Sequence, residues 1–241
     1  MTIVDAVVIL FLLLGAVLGF KKGAIRSLVG LVGTIAIVVI AYYLKNPVAN
    51  LLYDFVPFFD FSGSWQGLVT LNILLYESIA YVLVFVILYS ILSLILKLTG
   101  LIEKLLTMTI ILGIPSKIIG AVLVFLEAVV FSFIVLFVLL QFNGSHEFIK
   151  ESTVAMSIID KTPLIGNMVN DTYKAIMDIS DLQDKYADSE NKNAYNAEIL
   201  TIMLNYNVIT PETTKELIDS EKLDFVGVEN VLNSYLEGRN D

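Results

Sequence analysis

Four long apolar runs, almost free of charge, dominate the first part of the chain, and polar residues gather after them. The first run, Ile3 to Phe20, carries one charge, Asp5. As a helix rising ~1.5 Å per residue it reaches about 27 Å, close to the roughly 30 Å hydrocarbon core of a bilayer. The second, Ser27 to Leu44, is uncharged and is expected to stop at Lys45-Asn46-Pro47, where proline removes a helix-ladder donor. The third lies between Leu71 and Leu96 and holds only Glu77. The fourth opens at Lys117 and closes at Leu140, with Glu127 inside it. The pattern predicts an all-α membrane protein with four transmembrane helices, at about 3–20, 27–44, 76–96 and 118–140. No basic segment precedes the first run and no small-residue cleavage site follows it, so it is expected to be a retained span.

Between and after the spans the pattern changes. Tyr53, Phe55, Phe58, Phe59, Phe61 and Trp65 crowd together with Asp54, Pro57 and Asp60, an aromatic density suited to the headgroup region. An interfacial helix over about 48–56 and then an aromatic loop are expected. Leu101, Ile102, Leu105, Leu106, Thr109 and Ile110 recur at helical spacing around Glu103 and Lys104, which predicts an amphipathic interfacial helix over about 99–112. Past residue 142 come helical patches over Pro163–Ile179, Ala194–Tyr206 and Glu229–Leu236. Another starts at Thr210-Pro211-Glu212, with Thr as cap and Pro at the first helical position. The chain thus divides into a four-helix transmembrane domain, 1–142, and a polar, mostly helical C-terminal segment, 143–241.

Charge sharpens this division. The net −9 is uneven: residues 1–142 hold seven Lys/Arg against six Asp/Glu, a net +1, and residues 143–241 hold eight against eighteen, a net −10. So acidic a segment argues against a nucleic-acid partner. Lys21, Lys22 and Arg26 lie between the first two spans, and Lys97, Lys104 and Lys117 between the last two, while Lys45 faces two acids in the middle loop. The positive-inside rule then puts the first and third loops in the cytoplasm, and both termini with the acidic segment outside.

Candidate chemistry is sparse. With no cysteine there are no thiolate ligands or thiol nucleophiles. His146 stands alone beside Asn143-Gly144-Ser145 and reads as a solvated loop residue. No metal, cofactor or nucleotide motif is present, and no catalytic residue is assigned. Gly15, Gly19 and Gly23 recur every four residues, a smooth stripe in the manner of a glycine zipper. It is expected to form a seam between the first two helices, with Gly30, Gly33 and Gly120 extending the small-residue surfaces and the fourth span docking against the same glycine face. Such faces also suit a homo-oligomer or another membrane protein. Glu127 is the expensive residue, since a carboxylate near the bilayer midplane costs roughly 2.5–3.5 kcal/mol. It is expected to face protein, with Tyr81, Tyr89, Ser90 or Ser93 as partners.

These residues together resemble the CvpA family, bacterial membrane proteins named for colicin V production. The resemblance rests on Asp5 before an apolar span, the basic-Gly turn Lys22-Gly23 with Arg26 three residues on, and Lys117-Ile118-Ile119-Gly120 at the start of the fourth span. It covers about residues 1–142. Where the family often has a further basic residue and glycines, this chain has Val124, Glu127 and Ala128. The resemblance implies a protein of the cytoplasmic membrane linked to bacteriocin (toxin) production or export. Two roles fit: a non-enzymatic scaffold or accessory, or a small channel or transporter using Glu127.

Overall fold

The computed structural model describes residues 2–106, 114–140, 148–186 and 191–238. No strand occurs among them. Helix α1 spans Ile3–Lys22, α2 Ala24–Phe55, α3 Leu71–Leu106 and α4 Ile114–Leu140. All four are long and apolar enough to cross a membrane. A short 3-10 turn, Gly63–Trp65, precedes α3. The polar helices follow: α5 (Thr153–Lys161), α6 (Pro163–Tyr186), α7 (Lys192–Asn205), α8 (Pro211–Asp219) and α9 (Val228–Glu237).

Local chemistry sets the helix ends. Thr2 caps α1 in a capping box: its hydroxyl accepts from Asp5 N–H at 3.2 Å, and the Asp5 carboxylate accepts from Thr2 N–H at 2.7 Å. Lys21 and Lys22 sit in the last turn of α1, against the negative end of its dipole. Gly23 alone separates α1 from α2. Its φ of +82° lies where a side chain is strained. Thr210 caps α8 with Pro211 at the first helical position, as its sequence predicts.

Two elements run further than their sequence suggests. α2 continues through Pro47 to Phe55, with no stop at Lys45-Asn46-Pro47 and no separate helix at 48–56. The flanking turns are held by burial of Ala49 and Tyr53 and by an ion pair from Lys45 to Glu77, which outweigh one missing ladder bond. α3 is one helix to Leu106, so residues 99–106 continue the helix beyond the apolar span Leu71–Lys97, and the rest of the expected interfacial helix lies outside the described residues. At 32 and 36 residues, α2 and α3 measure about 48 and 54 Å, so each also reaches beyond a hydrocarbon core of roughly 30 Å.

The chain groups into two compact units that do not follow the 1–142/143–241 division. The first holds residues 1–44 and 81–166, the second 45–80 and 167–241. In the first, α1 packs along α4, α5 rests on both, and Phe85, Tyr89 and Phe131 form an aromatic cluster with ring centroids 4.9–5.9 Å apart. In the second, the ends of α2 and α3 supply Tyr53, Ile73 and Tyr76 to the core, the loop between them supplies Leu68, and α7 supplies Ile199, Leu200, Met203 and Leu204. The acidic segment therefore completes its core with residues from the loop between the second and third spans.

Candidate functional site

The buried residues of α4 include Gly120, Val124, Glu127 and Ala128, spaced as one helical face. The glycines of α1 meet this face. A Cβ on Gly120 would lie 2.5 Å from the Gly19 carbonyl oxygen, and one on Gly15 would lie 2.8 Å from Ala128 Cβ. The Gly15/Gly19 stripe is thus a seam with α4 rather than with α2, and close backbone approach is what it provides. Gly23 belongs to the same contact, since a Cβ on Gly120 would lie 2.9 Å from its carbonyl oxygen. Gly33 packs on Leu92. These glycines meet neighbouring helices within the chain.

Glu127 turns from this seam toward α2 and α3. Thr34 donates its hydroxyl to Glu127 Oε1 at 2.9 Å, the Tyr89 hydroxyl faces the same carboxylate, and the residue is 4% exposed. Gly30, one helical turn before Thr34, leaves room for it: a Cβ there would sit 3.4 Å from Oε2. Of the partners expected from sequence, Tyr89 is in place. Tyr81 stacks on Phe85, and Ser90 donates to its own helix at Val86 O. Thr34 is the partner that sequence reasoning missed. Its signal was the Gly30-x-x-x-Thr34 spacing, which puts a small residue and a hydroxyl on one face of α2. Chemically the site is a buried carboxylate served by hydroxyl donors, fit to accept hydrogen bonds and to fix helix register.

Asp5 does more than begin a span. Its Oδ1 accepts from the Ser152 hydroxyl at 2.5 Å and from Val154 N–H at 3.0 Å. Ser152 in turn caps α5 by accepting from Ala155 N–H. One carboxylate therefore serves the N-termini of α1 and α5, each a positive dipole end. The other residues of the resemblance meet at the opposite end of α1. Lys22 and Arg26 flank Gly23, Gly120 packs beneath it, and Ser116, next to Lys117, accepts from Ala24 N–H at 3.0 Å.

The second unit has polar anchors of its own. Lys45 and Glu77 form a largely buried ion pair, joined by the Tyr53 hydroxyl at 3.3 Å. Asn196 of α7 accepts from Thr70 N–H and hydroxyl at 3.2 and 2.7 Å, and donates to Gly67 O at 2.7 Å. Asn72 bonds both the N–H and the carbonyl of Phe59, while Phe58 and Phe59 stack near Tyr76. The aromatic loop is thus folded into the second unit. On its surface, hydrogen bonds from Lys185 lower the Glu198 carboxyl, and the same contact raises Lys185. Among the described residues no three His, Cys, Asp or Glu are grouped to hold a metal. His146 lies outside the described residues.

Comparison with known proteins adds the family. The family described as Colicin V production protein matches residues 4–163. The uncharacterized transmembrane protein YshB of Bacillus subtilis (strain 168) is 28% identical over 181 residues, 70% of this chain and 96% of that protein. No solved structure matches the chain.

Proposed function

Because the chain belongs to the Colicin V production protein family, we propose that it is a non-enzymatic scaffold or accessory of the cytoplasmic membrane. In this reading it serves bacteriocin production or export and holds a helical unit on the outer face. The observation that carries the reading is the second unit, in which the loop between α2 and α3 and the acidic segment share one core through Asn196, Thr70 and Gly67. A chain that joins four spans to such a unit suits contact with other proteins better than chemistry. The outward orientation follows from the Lys/Arg balance of the loops.

The alternative, a small channel or transporter, rests on Glu127, since an ionisable residue inside a span is costly to keep. The two readings part at Glu127→Gln. Glutamine retains the oxygen that accepts from Thr34, so a scaffold keeps its packing and its function, whereas an ion or proton path loses its charge.

The test is secretion of bacteriocin activity by producing cells that lack this chain. Wild-type and Glu127→Gln chains restore it to within about twofold, and a chain ending at residue 166 does not. Unimpaired secretion without the chain contradicts the scaffold reading. Failure of Glu127→Gln at normal membrane abundance, together with solute flux through reconstituted vesicles, moves the assignment to the channel.

A further inference from the structure

The end of the first unit where α1, α2 and α4 meet carries four exposed or half-exposed cations that no acid pairs with among the described residues. Lys21 and Lys22 close α1, Arg26 lies in the first turn of α2, and Lys117 in the first turn of α4. Packing of Gly23 on Gly120 and the bond from Ala24 N–H to Ser116 bring the three turns together. None of these turns carries an acid, and none of the four cations makes an ion pair among the described residues. Lys117 Nζ stands 5.7 Å from the Phe20 ring centroid, so it is held beside the end of α1. Further into the same three helices, Phe20, Leu28, Ile118 and Ile119 expose apolar side chains.

We propose that this end is a binding surface for the phosphate headgroup of an anionic phospholipid. Clustered Lys and Arg beside a span attract anionic headgroups, with about 1 kcal/mol, or roughly fivefold, for each cation near the surface. Guanidinium and ammonium donors match phosphate oxygens, and the exposed apolar residues beneath supply the surface along which acyl chains lie. The layering, cations over an apolar belt on three joined helices, matches a lipid better than a soluble phosphate, which has no use for the belt. The surface is independent of Glu127 and of the role of the second unit.

The experiment reconstitutes the full chain in phosphatidylcholine vesicles with trace spin-labelled phosphatidylglycerol or spin-labelled phosphatidylcholine. It compares the fraction of each label that the protein immobilises. The expected result is a several-fold preference for phosphatidylglycerol that shrinks as salt rises from 0.01 to about 1 M, as screening of exposed charges requires. Lys21→Gln, Lys22→Gln, Arg26→Gln and Lys117→Gln combined bring the ratio to near one, and Lys185→Gln, remote in sequence and on a polar helix, leaves it unchanged. Equal immobilisation of the two lipids by the wild-type chain at low salt overturns the proposal, and so does a preference that salt does not move. The salt series needs no variant, so it decides the matter even where the fourfold variant fails to fold.

Discussion

Gly19 and Gly30 look alike in sequence, each a glycine in an apolar run, and the structure gives them different work. A Cβ on Gly19 would press into the Gly120 backbone and come within 2.8 Å of Val124 Cβ, and a backbone has no rotamer with which to yield. A Cβ on Gly30 would meet the Glu127 carboxylate at 3.4 Å, an ordinary contact. Gly19→Ala is therefore expected to cost about 1–3 kcal/mol by overpacking. Gly30→Ala falls within about 1 kcal/mol of neutral, because the helix propensity gained on leaving glycine offsets the closer fit. Unfolding of the full chain in mixed micelles by denaturing detergent separates the two, and equal stability of both variants contradicts the α1–α4 seam. At this scale the sequence showed which residues were small and which carboxylate was costly. It did not show which helix each would meet, because a stripe of glycines at i, i+4 has the same pattern whichever neighbour it faces. Thr34 and Ser152 stayed hidden for the same reason: their partners, Glu127 and Asp5, lie 93 and 147 residues away.

Among the elements, helices announced themselves and their ends less so. The Thr210-Pro211 start of α8 was legible because capping is local chemistry. The continuation of α2 through Pro47 was not, since it depends on Tyr53, Ala49 and the Lys45–Glu77 pair packing at a distance. α5 had a readable signal in Ser152 ahead of Val154, Ile158 and Ile159, but its purpose is given by Asp5. The junction made by α7 is the element most exposed to test. Asn196→Leu leaves the buried N–H and hydroxyl of Thr70 without their partner, at about 1–3 kcal/mol each. Amide hydrogens of α7 in the full-length variant are expected to exchange at least about tenfold faster than in wild type. Unchanged exchange means that the junction does not hold the second unit together.

For the molecule as a whole, apolar periodicity and charge were enough to establish four membrane-spanning helices followed by helices of polar character, because lipid imposes length and composition directly on sequence. The grouping of the polar part was beyond their reach. The acidic segment carries too few apolar residues to look like a complete core, and its missing share comes from residues 45–80, where the pattern suggested a headgroup loop. The proposed scaffold depends on that shared unit standing on the outer face. The chain has no cysteine, so single cysteines give clean labels. Ser62→Cys, in the loop before α3, and Ser220→Cys, at the end of α8, are both exposed. A membrane-impermeant maleimide applied to intact cells is predicted to label both to the same extent as after lysis. Labelling of one from outside and the other only after lysis contradicts the shared unit, and protection of both until lysis contradicts its place outside the cell.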